Sequence, residues 1–581
     1  MLFVFYHVCG IFRELLGFRN SKYKKMKQET KNCQNCKQDF VIEPEDFNFY
    51  EKIKVPPPNV CPDCRFKMRA LFRNETTLYS GRKCALCDKA IISMYNPKSP
   101  YTIYCYECFY SERWDPSDYA MDYDENRPFL LQLKELFLKV PKITTYISLG
   151  AGPNINSEYT NMVGGCKNCY LVFNTSPAEN VSYSRGLRNV KDSSDLYFGQ
   201  SDERCYECIN VQESYGTIWG KNLVGCVDSA FLLNCRNLVS CFGCVNLNNK
   251  SYHFLNKQLK PEEYKKKAGT ILGSYEKMEE FKKEFDKFSL DFPRRENNNI
   301  QTVNSDGDYL FECKNVKNSF EVYAGEDSQQ IYSAKGITDS LGVIGYGTKS
   351  ERLLECVATG LSSNVIGTYG AENSQDILYG FYVSSCKDCI GCDALRHKQY
   401  SILNKQYTKE EYKKLKEKII NELINQNLYG LMPPPDIAPF AYNETIAQDN
   451  FPMTKEEVLA MGFRWQDDIQ KTENRETIKP ENLPDHIKDV ENSIINETLK
   501  CADCNRNYKI IEIELSFYRR MNLPISRKCF FCRHKDRIMR RGPYKFWNRE
   551  CMKCRKSITT NYAPDRPEIV YCEKCYQAEV Y

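Results

Sequence analysis

One cysteine spacing occurs twice in this chain, once near each end, and it constrains the fold more than any other feature. The first copy reads Cys33-x2-Cys36-x24-Cys61-x2-Cys64-x19-Cys84-x2-Cys87-x17-Cys105-x2-Cys108. The second reads Cys501-x2-Cys504-x24-Cys529-x2-Cys532-x18-Cys551-x2-Cys554-x17-Cys572-x2-Cys575. Other residues keep the same register: Tyr50 with Tyr518, Tyr95 with Tyr562, Pro97 with Pro564, Pro100 with Pro567, Tyr104 with Tyr571. A module of two metal sites has been duplicated. Two thiolates three positions apart fill two corners of a zinc tetrahedron, and the fold must return a second pair.

In each copy, neighbouring pairs are expected to share an ion, giving about four zinc ions. "AIISMY", "NPKSP" and "YTIYC" after Cys87 read as strand, turn and return strand, a zinc ribbon delivering Cys105 and Cys108. "CPDCRFKMRALFRNE" places Cys61 and Cys64 at the start of a helix, as in a treble clef. A cross-braced pairing of first with third and second with fourth uses the same cysteines. Disulfides and iron–sulfur clusters are further alternatives. Four thiolates leave no open coordination position, so the sites read as structural.

The middle of the chain carries a second duplication. "CFGCVNLNNKSYHFLNKQLKPEEYKKK" (241–267) matches "CIGCDALRHKQYSILNKQYTKEEYKKL" (389–415), and each runs into a Lys/Glu-rich helix. Short apolar segments such as "EDSQQIYSA" and "SSNVIGTYG" recur upstream, separated by turn signals at a step of about eleven. Strands this short cannot bury a face alone. Stacked at a two-strand period of about 22 residues they predict tandem parallel β-solenoids with small and aromatic residues inside; an irregular β-sandwich is the competing fold. Thirteen further cysteines here, among them Cys166, Cys169, Cys205, Cys208, Cys241, Cys244, Cys386, Cys389 and Cys392, read as buried thiols packed as small hydrophobes, with extra metal sites or redox pairs as alternatives.

The expected organisation is a leader (1–30), an N-terminal double zinc module (31–110), a helical linker (111–150), two solenoid modules with terminal helices (151–288 and 289–426), a linker (427–499) and a C-terminal double zinc module (500–581). The fold class is mainly β with short helices. The apolar opening "MLFVFYHVCGIFRELLGFRN" is interrupted by Arg13 and Glu14, lacks a basic n-region and a cleavage site, and is read as preceding a true start at Met26, with an amphipathic surface helix as the alternative. No segment reads as transmembrane, and the cysteine usage suits a cytoplasmic protein with reduced thiols.

Net charge is +5, but residues 501–581 carry 18 Lys/Arg against 9 Asp/Glu while residues 111–500 are net acidic. Charge split in this way bears on partners. "CRHKDRIMRRGPYKFWNREC" sets Arg533, Lys535, Arg537, Arg540, Arg541, Lys545 and Arg549 around Tyr544, Phe546 and Trp547. Cations that could neutralise phosphate, beside rings on which bases could stack, make Arg533, Lys535, Arg537, Arg540, Arg541, Lys545 and Trp547 the candidate nucleic-acid contacts. The N-terminal copy is milder, with Arg65, Lys67, Arg69, Arg73, Arg82 and Lys83. No catalytic residues are nominated: the five histidines form no His-Glu-x-x-His pattern, and no P-loop, nucleophile elbow or dinucleotide fingerprint occurs. The acidic middle leaves a hydrolase or lyase as the remaining enzymatic reading. The function expected is a non-catalytic zinc protein binding nucleic acid through its basic ends; the alternative is a protein-interaction scaffold.

"EPEDFNFYEKIKVPPPNVCPDC", "RKCALCDKAIISMY", "WDPSDYAMDYDENRPF", "CFGCVNLNNKSYHFLNKQ" and "PFAYNETIAQDNFP" resemble an uncharacterised family of multi-zinc-ribbon proteins predicted from bacterial environmental genomes. The resemblance spans residues 31–581. It implies a bacterial cytoplasmic zinc protein starting near Met26 and implies no activity. Some relatives lose cysteines at the first two C-terminal pairs, which would make the site of Cys501, Cys504, Cys529 and Cys532 optional in the family.

Overall fold

The computed structural model describes residues 28–147 and 152–580. Residues 1–27 of the expected leader, with the Met26 start, lie outside the described residues, and Glu29 and Thr30 already belong to the first strand. The chain divides into two units, one ending at Cys64 and one running from Arg65. In the first unit a hairpin (Glu29–Asn32 with Asp39–Ile42) is followed by the helix Pro44–Ile53. That helix ends at Lys54, which adopts φ 58°, a left-handed C-cap.

The second unit is built on two long parallel ladders. In the first, Tyr170, Ser182, Ser194, Tyr206, Ile218, Ala230, Phe242 and Phe254 are successive strand partners, each twelve residues after the last. In the second, Lys314, Glu326, Thr338, Glu351, Ser363, Gln375, Lys387 and Gln399 follow one another in the same way, with a single thirteen-residue step at Thr338–Glu351. Here the long strands Glu326–Lys335 and Ser350–Thr359 each pair with both Ile337–Thr338 and Leu341–Tyr346, closing a four-strand ring. The repeat is therefore twelve residues, not the longer two-strand period expected from the turn signals.

The local rule is a triplet. Every third residue from Asn189 to Leu255, and again from Lys349 to Leu403, has positive φ, glycine or not. Every third residue from Val163 to Cys244, from Leu310 to Val343 and from Ser350 to Leu395 is buried. Each triplet thus supplies one inward side chain and one left-handed corner, and four triplets return the chain to its starting column. The insertion at Tyr346–Lys349, where Tyr346, Gly347 and Lys349 all have positive φ, shifts the phase by one and accounts for the thirteen-residue step.

A left-handed L-residue costs roughly 1–2 kcal/mol, so a repeating corner needs repeating compensation. Stacked amides supply part of it: Asn210 donates to Asn222, Asn222 to Asn234 and Asn234 to Asn246, at 2.9–3.2 Å. Inward hydroxyls supply more. Ser193 Oγ donates to the Lys191 carbonyl and accepts from the Cys205 N–H one repeat later, at 2.7 and 3.0 Å. Inward thiols are directed at backbone carbonyls in the same way, Cys205 Sγ lying 3.5 Å from Glu203 O and 3.6 Å from Ser214 O. All thirteen central cysteines are buried and free of disulfides. The interior is small and aliphatic. The aromatics expected inside lie outside, as Phe231 and Phe242 do under the helix Tyr275–Ser289, with ring centroids 5.0 and 4.8 Å from Phe281.

The repeated "LNKQ" ends each ladder. Leu255–Asn256 and Leu403–Asn404 both adopt left-handed φ, forming a tight turn into a short antiparallel pairing. The amide of Asn256 accepts from Val245 N–H and donates to Val245 O, at 2.9 and 3.0 Å; Asn404 does the same with Asp393. One side chain stands in for the backbone that a further repeat would have provided.

Helices cross between the ladders. Phe129–Lys139 precedes the first ladder but packs on the second, where Phe129 stacks on Tyr379 and Phe137 meets Phe381. Tyr275–Ser289 precedes the second but packs on the first. Matching glycines admit the two aromatics: a Cβ at Gly243 would lie 2.8 Å from Phe281, and one at Gly391 2.7 Å from Phe129.

Candidate metal centres

Each end contributes two four-cysteine clusters: Cys33, Cys36, Cys61, Cys64; Cys84, Cys87, Cys105, Cys108; Cys501, Cys504, Cys529, Cys532; and Cys551, Cys554, Cys572, Cys575. Within a cluster all four sulfurs lie within 4.8 Å of one another. Neighbouring pairs share a cluster, and the cross-braced arrangement is not formed. Sulfur pairs across the two halves stand 3.7 Å apart at Cys36–Cys61, Cys504–Cys529 and Cys554–Cys572, and 3.9 Å at Cys87–Cys105. A disulfide needs about 2.05 Å. Zinc–thiolate bonds of about 2.3 Å in a tetrahedron require sulfur–sulfur edges of about 3.8 Å. The geometry fits one tetrahedral ion per cluster, about four in all.

The four clusters are built alike. The first pair sits at the tip of a β-hairpin. Its leading cysteine donates to the carbonyl five residues on and accepts from the N–H four residues on, as in Cys84 to Lys89 and Asp88 to Cys84. The residue at that fourth position is left-handed in every case: Lys37, Asp88, Asn505 and Arg555 have φ of 59–63°. The second pair opens a helix: Pro62–Ala70, Tyr106–Phe109, Phe530–Arg541 and Glu573–Val580. N–H groups aimed at sulfur complete the site, Cys61 to Cys33, Cys105 to Cys84 and Cys529 to Cys501, at 3.2–3.3 Å.

In each cluster these contacts favour one thiolate, at Cys61, Cys84, Cys501 and Cys551, while two of its neighbours are pushed up. The Cys61 thiol falls to about 5, mainly through its hydrogen bond with Cys64. Burial raises the Cys551 thiol, but the N–H groups of Cys554 and Cys572 outweigh it and bring it to about 6. Cys87, Cys504 and Cys554 are exposed, so each of those ions would sit close to solvent.

The ribbon expected after Cys87 is differently wired. Ala90–Ser93 pairs backwards with Tyr79–Lys83, bracketing the first knuckle. The "return" strand Ile103–Tyr104 instead runs parallel to Lys142–Ile143, just before the first ladder. In the C-terminal copy Val570–Tyr571 runs parallel to Arg294–Arg295, just before the second.

The basic helix of the C-terminal module is where expectation and structure part most. Arg533, Arg537 and Arg541 are spaced i, i+4, i+8 on Phe530–Arg541, and all three are buried against the first ladder. Arg537 Nη1 lies 2.7 Å from Asp195 and 3.1 Å from Glu207, and Nη2 donates to Tyr183 O at 3.0 Å. Arg533 pairs with Asp195 and Glu514, at 3.1 and 3.2 Å. Arg541 donates to Tyr197 Oη at 2.6 Å and to Asn450 at 2.8 Å. Arg540 lies 3.9 Å above the Trp219 ring and pairs with Glu207. Trp547 is half-buried, with the Lys545 ammonium 5.3 Å from its ring centre. Of the seven candidate nucleic-acid contacts only Lys535 and Lys545 are exposed. The buried arginines face acceptors of their own chain rather than solvent.

The N-terminal copy repeats the device on the second ladder. Arg65 pairs with Glu355 at 2.9 Å, Arg69 pairs with the same carboxylate, and Arg73 pairs with Glu75 at 2.6 Å. Gly345 makes room: a Cβ there would stand 1.9 Å from Arg73 Nη1. Glu75 also holds Arg185, at 2.5 Å. Burial raises the Glu75 carboxyl, but the Arg185 and Arg73 charges overcome it and hold it at about 2. These acceptors, Asp195, Glu207, Glu514 and Glu355, were not nominated from sequence. Their signal was the arginine stripe itself, which at this spacing occupies one helical face.

A scan of protein-family models and a search of curated proteins both find no match to this chain. Among the described residues no helix is long and apolar enough to cross a membrane.

Proposed function

We propose that this chain is a non-catalytic, cytoplasmic zinc protein that serves as an interaction scaffold: two β-solenoids of twelve-residue coils, clasped by the arginines that follow Cys64 and Cys532. The observation that carries the reading is the burial of Arg533, Arg537 and Arg541 in ion pairs with solenoid carboxylates. A helix that commits its cations internally is a clasp. Ion sites closed by four thiolates supply rigidity and offer no position for a substrate. The stacked coils then present long, repetitive surfaces suited to protein partners.

Two measurements test this. Metal analysis of the purified chain should return about four zinc ions, falling by one in Cys504→Ser; a count of two or fewer would remove the stapling role. Filter binding of the zinc-loaded chain to structured RNA and to single- and double-stranded DNA near physiological salt should show no binding at micromolar protein. Tight, salt-sensitive binding lost on Lys535→Gln with Lys545→Gln would restore the nucleic-acid reading, because those two cations remain available.

A further inference from the structure

Between the two ladders lies a cleft of about 390 Å³, within the roughly 300–1,000 Å³ range of small-ligand sites. Its walls come from both ladders, the first through residues 174–198 and the second through residues 321–358. Asn174 bridges them by donating to Ser333 Oγ at 3.3 Å.

Three features of the lining are chemically specific. The first is cationic. Arg188 lies over the Tyr323 ring at 4.9 Å, Lys335 is the strand partner of Tyr323, and both line the cleft. Neither forms an ion pair or side-chain hydrogen bond with a described residue, unlike the clasp arginines. The second is a buried acceptor. Glu321 is 2% exposed, and neither carboxylate oxygen has a hydrogen-bond partner. Its nearest charges, Arg185 and Arg541, stand 3.6 and 3.9 Å away, beyond hydrogen-bond reach. A buried carboxylate left in that state costs free energy that a donor from a ligand would recover. The third is aromatic: Tyr146, Tyr323, Tyr346 and Phe198 all line the cleft.

We propose that this cleft binds a nucleoside monophosphate. The phosphate is held by Arg188 and Lys335, the base lies among the rings, and an exocyclic amino group donates to Glu321. A site combining two uncommitted cations, ring faces and a buried carboxylate that accepts no hydrogen bond matches a ligand that is anionic at one end and a flat N–H donor at the other. The inference stands apart from the scaffold reading and does not need it.

The test is calorimetric titration of the zinc-loaded full chain with AMP, GMP, CMP, UMP and inorganic phosphate. One nucleotide should bind per chain, with bases that bear an amino group preferred over uracil. Arg188→Gln and Lys335→Gln should each weaken binding about tenfold, with zinc content and melting temperature unchanged. Glu321→Gln should abolish the preference among bases while a phosphate-dependent affinity remains. Should Glu321→Gln fail to fold, the two cation variants still decide. The proposal is overturned if no nucleotide binds at about 1 mM, if inorganic phosphate binds as well as the nucleotides, or if both cation variants bind like the parent chain.

Discussion

At the scale of single residues, the interior of the first ladder contains one misfit. Asp202 occupies an inward column otherwise filled by Cys166, Ala178, Val190, Ser214, Cys226 and Leu238. One of its oxygens accepts the Ser214 N–H at 3.0 Å, and the other has no partner. Burial pushes its carboxyl up to about 7. In the unfolded chain it titrates near 3.9, so the fold binds the proton more tightly. The stability tied to that proton is full below about pH 4 and is lost as pH rises toward about 7. Asp202→Asn should therefore gain on the parent chain with pH, by about 1.4 kcal/mol per unit across this interval. Urea melts at pH 6 and pH 8 should show the gap widening by about 1 kcal/mol; an equal gap at both would mean that Asp202 is already ionised in the fold at pH 6 and that burial does not raise its carboxyl. A second contrast separates buried from exposed cations on one helix. Arg537→Ala strips Asp195 of its closer cation, leaving it Arg533 alone, and should cost about 3–5 kcal/mol, whereas Lys535→Ala should stay within about 0.5 kcal/mol. Similar losses from both, read by the same melts, would contradict the clasp.

At the scale of elements, the metal knuckles were fully legible and the ladders only partly. Cys-x2-Cys leaves few geometric options, so spacing named the sixteen cysteines, while the choice of neighbouring over cross-braced pairs comes from the structure. The triplet was hidden for two physical reasons. Its left-handed corners mix Asn, Asp and Gly with Tyr183, Phe198, Trp219 and Leu255, side chains that normally avoid that region, so the Asn rhythm at Asn210, Asn222, Asn234 and Asn246 is interrupted. Its inward positions hold Ser193, Ser214, Thr217 and Ser229 as readily as Val or Leu, because hydroxyls are satisfied by the ladder itself. A search for apolar periodicity passes over such positions, and the turn signals that remained suggested a step of about eleven. The terminal "LNKQ" was recognisable as a repeat but not as a cap. Asn256→Ala removes two hydrogen bonds to Val245 and a residue suited to φ 61°. The expected cost is about 2–3 kcal/mol, with early loss of hydrogen-exchange protection at the Val245 amide. Unchanged protection there would deny Asn256 its capping role.

At the scale of the molecule, the duplicated parts exchange partners. The helix before each ladder packs on the other, as Phe129 on Tyr379 and Phe281 on Phe242 show. The arginines that follow Cys64 reach Glu355 in the second ladder, while those that follow Cys532 reach Asp195 in the first. Sequence revealed both duplications but not this crossing, since pairing between distant segments leaves no local periodicity. Neither half fully covers its own ladder: the first keeps Tyr275–Ser289 but loses Phe530–Arg541, and the second loses Phe129–Lys139. Fragments cut between Ser289 and Arg294 should therefore be poorly soluble alone yet co-purify as a one-to-one complex when co-expressed with zinc. Two fragments that each behave as well-folded monomers would refute the crossing.

The Asn256 and Asn404 turns carry a consequence beyond their own stability. A parallel ladder that simply stopped would offer its last row of N–H and C=O groups to any neighbour with the same twelve-residue rhythm, and another copy of this protein is the best such neighbour. By folding the final strand back on itself and filling the vacant bonds with one amide, each turn closes the row to end-to-end growth. The same short motif that completes the fold thereby keeps a filament-forming architecture from making filaments, and a cell producing the uncapped chain would be expected to collect it in fibrous deposits.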